Sequence, residues 1–290
     1  MKIVVISQPL PPLIYGINRL YTEGWLTEAI IERTPDYENN TQPTTPLWKS
    51  VVRNFQTEGI TGIMAGIGRM AERRKQAKIA EMQAMEQAKI NQEYFNGLGE
   101  TLLPDIPHFI TPSVNDSSVY EHISRLQPDV LLIHGTTIVK KHLIDAVPLA
   151  LNIHTGLSPW YKGVGSVAWA LINGDINNIG VTLHKLSTKL DGGDIVGQRR
   201  ILVKDNDTFS SINARLHVAG IDMAIKAFSL LKAGKSLQFY PQDDSQALLI
   251  RGFLFSDELY KHLHWLEQRG MIARMCAKPS RDYYFPIIEF

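Results

Sequence analysis

The chain has 290 residues, 44% hydrophobic and 20% charged, with 30 Lys and Arg against 29 Asp and Glu for a formal charge of +1. Such a composition excludes a disordered chain, a collagen-like repeat or a disulfide scaffold, and it gives no global basic field for nucleic acid or anionic lipid. The length exceeds the usual ~50–250 residues of one domain, and the single Cys276 leaves no internal disulfide or multi-cysteine metal site, so one large core with an insertion or tail is expected.

Met1 to Ser7 is an apolar burst too short for a secretory leader, and no run approaches the roughly 18 apolar residues of a membrane span. A cytoplasmic protein is expected. Lys2 to Ser7 reads as a buried first strand, Leu13 to Trp25 as a helix, and Ala29-Ile30-Ile31 as a second strand ended by Thr34-Pro35-Asp36. This order opens an α/β sheet with parallel pairs. From about Pro46 to Leu103 no strand is evident, and Met64 to Asn96 reads as helical with a sparse apolar face (Ile79, Met82, Ile90, Tyr94). Residues 46–103 are therefore read as an insertion. Its charged run, Arg69 to Lys78, is either a phosphate-contacting patch or a solvated helical face, and the acids that follow favour the second.

Pro107 to Thr111 resumes as a strand, Asn115 to Ser118 supplies cap chemistry for a helix through Leu126, and Asp129 to His134 is a continuous apolar run typical of a central parallel strand. Lys140 to Ala146 is helical and Leu149 to His154 is the next strand. A helix from Val167 to Asn173, strands at Gly180–Lys185 and Ile195–Val203, and a helix from Thr208 to Leu231 follow. The tail after residue 237 is mixed, with Ser256 as a cap for a helix to Gln268.

Chemistry concentrates between Leu151 and Gly163. Alternation puts Asn152 and His154 on one strand face, about 6.5–7 Å apart, at the C-terminal edge where open α/β sheets bind ligands. An amide donor beside an imidazole suits a reaction that builds negative charge on a carbonyl oxygen. Taken alone, the pair also reads as a turn-capping Asn and a strand-end His. A third partner lies in the polar loop His184 to Ile195, where Asp191 or Asp194 could orient the imidazole, and Asp194 reads better as a β-turn aspartate.

The segments Asn152-Ile153-His154, Pro159-Trp160-Tyr161-Lys162-Gly163, Val181-Thr182-Leu183-His184 and Asp191-Gly192-Gly193-Asp194-Ile195, with Ala170 to Asp175 between them, resemble the formyltransferases that use 10-formyltetrahydrofolate. The resemblance runs from about Ile106 to Leu231, extends more weakly over the first 34 residues, and is absent from the insertion and tail. It implies an α/β, Rossmann-like formyltransferase fold with a mainly parallel central sheet, to which the chain adds the largely helical insertion and a small mixed C-terminal extension read above. Residues 1–237 would form the catalytic domain and 238–290 the extension.

The resemblance also assigns catalytic roles to Asn152, His154 and Asp191. An acceptor amine would attack the formyl carbon, Asn152 and protonated His154 would stabilise the oxyanion, and Asp191 would assist proton transfer and hold His154. It places the pterin of 10-formyltetrahydrofolate between the loop with Gly135, Thr137, Ile138 and Val139 and the loop with Leu186 and Leu190, and it puts Tyr161, Lys162 and Gly163 at the acceptor pocket. Lys162 stands where the family commonly has Arg, keeping a cation but losing bidentate geometry. Gly156-Leu157-Ser158-Pro159 replaces the family's usual Ser-Leu-Leu-Pro.

Net charge and the short tail fit poorly with initiator-tRNA formylation, so nucleic acid is not the expected partner. The loop Gln8-Pro9-Leu10-Pro11-Pro12 lacks a glycine-rich phosphate cradle, which fits poorly with glycinamide ribonucleotide. A small-molecule amine remains, with a nucleotide-linked amino sugar as one form, and the insertion and tail would shape its pocket or a homodimer contact. A hydrolase releasing formate from the same donor and a non-catalytic folate-binding module are the alternatives. Gly163-Val164-Gly165-Ser166-Val167-Ala168 has dinucleotide-fingerprint spacing without the strand that should precede it, and His134, His154 and His184 lack metal-ligand spacing, so no metal is expected.

Overall fold

The computed structural model describes residues 1–34, 74, 77–78, 80–250, 257–278 and 283–290. Its strands are β1 (Ile3–Ser7), β2 (Glu28–Glu32), β3 (His108–Thr111), β4 (Val130–His134), β5 (Leu149–His154), β6 (Tyr161–Gly163), β7 (Gly180–Lys185), β8 (Ile195–Arg200) and β9 (Leu248–Ile250). Seven of these form one sheet in the order β3-β2-β1-β4-β5-β7-β8, and β6 pairs with β9 apart from it. The first five strands are mutually parallel, β7 is antiparallel to β5, and β8 is antiparallel to β7. The helices are α1 (Pro11–Thr22), α2 (80–95), α3 (Ser117–Leu126), α4 (Lys141–Ile144), α5 (Ser166–Ile172), α6 (Phe209–Lys232), α7 (Asp257–Glu267) and α8 (Met271–Ala277).

Both faces of the sheet are covered, which is why β1 and β4 are apolar at every position except their terminal Ser7 and His134. Alternate residues feed two cores. Val5, Leu132, Leu151 and Ile153 pack with α1 and α6, whereas Val4, Ile6, Leu131 and Ile133 pack with Val119 and Ile123 of α3 and Leu143 of α4. Prolines at the first turn of α1 cost no helical hydrogen bond, and the Asp116 carboxylate caps α3 by accepting from the Ser118 N–H at 2.9 Å.

The mainly parallel sheet matches the expectation from sequence, with β7 and β8 as its antiparallel margin. The strand expected over Ile195–Val203 stops at Arg200. In the insertion, α2 buries Ile90 and Phe95 and packs Tyr94 against the core while Met82 stands exposed, so of the apolar face its sequence suggested the Ile90 and Tyr94 end turns inward. Most of the charged run 69–78, the loop 39–46 and the cap Ser256 lie outside the described residues. The tail contributes β9, which no sequence pattern announces. No helix among the described residues is long and apolar enough to cross a membrane.

α6 runs beneath the site-bearing strands and starts in a reciprocal cap. Thr208 Oγ1 accepts from the Ser211 N–H at 3.1 Å, and Ser211 Oγ accepts from the Thr208 N–H at 3.0 Å. Thr208→Ala should lower unfolding free energy by about 1 kcal/mol in urea titration. A change under about 0.3 kcal/mol would show that the cap contributes little in this helix.

Candidate active site

Asn152 and His154 occupy the C-terminal end of β5 with the parity their spacing requires, following Ala150 onto the α3 side of the sheet. The antiparallel register of β7 sets His184 directly opposite Asn152. Asp191 lies in the loop from β7 to β8 and adopts φ +46°, a left-handed conformation that residues with a side chain seldom take. That backbone turns the carboxylate inward, where the side chain keeps only 11% exposure.

Each carboxylate oxygen has its own partners. Oδ2 accepts from the Gly163 N–H at 2.8 Å and lies 3.4 Å from His154 Nδ1. Oδ1 accepts from Asn152 Nδ2 at 3.3 Å and lies 3.6 Å from His184 Nε2. Burial by itself would raise the carboxyl pKa, but the His154 imidazole and the Gly163 N–H hold it well below the usual carboxylate range. Asp191 is therefore an anion at neutral pH.

The two imidazoles are fixed differently. His184 Nδ1 donates to the Lys185 carbonyl at 2.9 Å, which leaves Nε2 to accept from Asn152 Nδ2 at 3.0 Å. His154 Nε2 donates to the Tyr161 carbonyl at 2.9 Å, while Nδ1 faces Asp191. The His154 ring is thus wedged between two oxygen acceptors, with its plane and tilt set. Both hydrogens of the Asn152 amide are engaged by His184 and Asp191, so donation to a substrate oxygen exchanges one of them.

A cavity of about 600 Å³ opens over this cluster. Gly135, Thr137, Ile138 and Val139 line one wall, Leu186 and Leu190 another, with Asn152, His154, Gly163 and Asp191 between them. Gly135 has φ +70°, and an added Cβ would meet Leu13 Cδ1 at 2.6 Å. Thr137 donates to Glu32 through its N–H at 2.8 Å and its hydroxyl at 2.6 Å, which ties the first wall to the end of β2. Ile138 at 74% exposure and Leu190 at 39% form apolar lips, whereas Val139 is buried.

The Tyr161 and Lys162 side chains do not line this cavity. The Tyr161 hydroxyl donates to Asp175 Oδ2 at 3.0 Å, and Lys162 Nζ donates to Asp244 Oδ1 at 2.7 Å. What this segment offers the site is backbone: the Tyr161 carbonyl to His154 and the Gly163 N–H to Asp191. Asp194 lends its carbonyl to the Lys185 N–H in the β7–β8 pairing.

Sequence reasoning missed several supporting residues. His184 stood in the motif without an assigned hydrogen-bonding task, although alternation along β7 could have placed it beside Asn152. Glu32 is an acid 1% exposed at a strand end, a signal in itself. Gln242, in the tail, donates to the Asp191 carbonyl at 2.9 Å and the Gly193 carbonyl at 2.5 Å, and no pattern pointed to it. His134 pairs with His217 on the opposite face of the sheet from His154 and His184.

Because the folded protein lowers the Asp191 pKa, the unfolded chain binds more protons as pH falls below the ordinary Asp value near 4, and stability rises with pH there. The Asp191 contribution is fully present above about pH 4 and is lost as pH falls toward the folded value. Asp191→Asn should flatten the acid limb of the stability profile between about pH 4 and pH 2 in denaturant titrations. An unchanged slope would show that the carboxylate is not held as described.

A family model described as formyl transferase matches residues 69–228, more than half of the chain. A methionyl-tRNA formyltransferase from Syntrophus aciditrophicus (strain SB) is 29% identical over 170 residues, covering 58% of this chain and 53% of that protein. The chain spans about half the length of the curated relatives it matches. Among solved structures, a 4-N formyltransferase from Francisella tularensis superposes with a TM-score of 0.52 at 12% identity, covering 100% of this chain and 97% of that one. An N-formyltransferase from Helicobacter canadensis, in complex with folinic acid and dTDP-3-aminofucose, gives 0.52 at 13% identity over 88% of this chain and 73% of that one. The structural likeness is one of fold, and the family match spans the strands and loops that carry Asn152, His154 and Asp191: this chain belongs to the formyl transferase family.

Proposed function

We propose that the protein transfers the formyl group of 10-formyltetrahydrofolate to an amine of a small-molecule acceptor. The observation that carries this reading is the convergence of Asn152, His154 and an ionised Asp191 at the floor of one cavity. The folate supplies the formyl carbon, and the 135–139 and 186–190 loops would hold its pterin. Their fit is physical: apolar Ile138, Val139, Leu186 and Leu190 flank a slot whose floor is polar.

Attack by the amine on the formyl carbon drives negative charge onto the formyl oxygen, and the amine must lose a proton while the departing nitrogen gains one. His154 supplies the cationic side of that exchange, because Asp191 stabilises its ring when it carries both protons. Asn152 supplies a neutral donor for the oxyanion once it releases His184 or Asp191. Gly163 keeps the carboxylate aimed while charge moves, and His184 holds the Asn152 amide. Tyr161, Lys162 and Gly163 shape the acceptor side through their backbone. Residues 1–237 act as the catalytic domain, and the extension 238–290 braces it. In this reading the protein works in the cytoplasm, and its insertion and tail are the surfaces open to a second copy.

For the acceptor we favour a nucleotide-linked amino sugar. The dTDP-3-aminofucose complex of the Helicobacter canadensis neighbour supports this choice. The methionyl-tRNA formyltransferases match over only about half their length, and a formal charge of +1 offers little field for tRNA.

The test is incubation with 10-formyltetrahydrofolate and a pool of amines that includes dTDP-amino sugars, reading formylated product, tetrahydrofolate and free formate together. A product heavier by one formyl group is expected. Formate released in step with tetrahydrofolate, without such a product, would make the protein a hydrolase. His154→Ala and Asp191→Asn should each cut transfer by on the order of 10²–10⁴-fold while folinic acid binding persists. Full activity in either variant would remove the assigned roles.

A further inference from the structure

The cavity has a polar group that the formyl-transfer chemistry does not use. His134, at the end of β4, lies with Nε2 2.8 Å from Nδ1 of His217 on α6, and both residues line the cavity. Burial pushes the His217 imidazole down to about 4 and His134 well below the ordinary range, so both rings are neutral at pH 7. A neutral pair shares one hydrogen across that contact, and its direction decides where the second proton sits.

The surroundings of His134 settle the direction. Its Nδ1 is sealed from solvent without a hydrogen-bond partner and rests against Gly16 of α1, where an added Cβ would lie only 2.9 Å away. A proton on Nδ1 would be a buried donor facing carbon, costing on the order of 1–3 kcal/mol. The His134 proton therefore sits on Nε2 and is donated to His217 Nδ1. His217 must then carry its own proton on Nε2, which makes no hydrogen bond among the described residues and is not sealed off as His134 Nδ1 is.

The side of the sheet narrows the ligand. His134 follows Val130 and Leu132 onto the α1/α6 face, whereas Val139 and Leu186 of the expected pterin walls pack with the α3/α4 core. We infer that His217 Nε2–H is a fixed, uncharged hydrogen-bond donor for an oxygen of the acceptor substrate, with His134 as the positioning residue that locks its tautomer. The ligand's identity rests on the formyl-transfer reading, while the tautomer does not. Gln8, at the end of β1 on the same cavity, is the neighbouring polar side chain with which such an acceptor would be shared.

The experiment is long-range ¹H–¹⁵N spectroscopy of the imidazoles in the full chain, assigned with His217→Gln and His134→Phe, first without ligand. His217 should show a protonated Nε2 and an accepting Nδ1 at neutral pH, and a protonated Nδ1 or a cationic ring would overturn the inference. Titration with dTDP-3-aminofucose should then move the His217 Nε2–H signal, and folinic acid should not. Movement by folinic acid alone, or by neither, would overturn it. His217→Leu should weaken dTDP-3-aminofucose binding by about tenfold and His217→Gln by less than about threefold, with folinic acid affinity unchanged in both. Folinic acid that fails to bind at all would sink the folate reading alone, since the tautomer is read in the ligand-free protein.

Discussion

The Asp191 carboxylate, held inside the protein between His154 Nδ1 and the Gly163 N–H, sets the terms for the elements around it. An anion taken out of water is tolerated only where donors and counter-charges replace its hydration shell. Here those replacements come from β5 and from the end of β6, two pieces of chain with no local reason to meet. The left-handed turn at Asp191 makes the convergence possible by directing the side chain into the protein instead of toward solvent. Backbone conformation, protonation and side-chain geometry are therefore one constraint seen from three sides.

Sheet topology supplies the means. A wholly parallel sheet would have sent the strand after β5 in the same direction and carried its polar end away from the Asn152 amide. The antiparallel β7 instead lays His184 across from Asn152 and leaves the following loop above the C-terminal edge of the parallel strands. The 135–139 loop is fixed from the other direction by Glu32, which also accepts from the Val114 N–H at 2.8 Å. That wall is thus tied to the scaffold by a side chain that does not line the cavity.

Much of this was legible in the residues. Continuous apolar runs gave β1 and β4, the Thr208 cap gave the start of α6, and the parity of Asn152 and His154 gave their shared face. The direction of β8 was also within reach, because the loop from Lys185 to Ile195 is too short for the crossover that a parallel pair needs. Other features lay beyond local pattern. Lys162 looked like an acceptor-pocket cation because its neighbours carry the motif, yet its partner Asp244 stands in a tail with no recognisable signal. Gln242 and β9 were hidden for the same reason: their meaning comes from pairing with residues far away in sequence. His217 resembled any polar residue on a mostly buried helix until its ring was seen against His134.

The pairing of β9 with β6 gives the protein an order of assembly. Leu248 to Ile250 lies beside Tyr161 to Gly163, and an added Cβ on Gly163 would stand 1.9 Å from the Ile250 carbonyl oxygen, so the two strands fit only by the closest backbone approach. During synthesis the chain emerges N-terminus first, and Asn152, His154 and Asp191 all leave the ribosome before this partner strand exists. A nascent chain ending near residue 237 holds Asn152, His154 and Asp191 but neither the strand that steadies the Gly163 N–H nor the glutamine that grips the Asp191 carbonyl. Residue 237 thus marks a point in time: the Asn152, His154 and Asp191 cluster is encoded first, and its bracing follows.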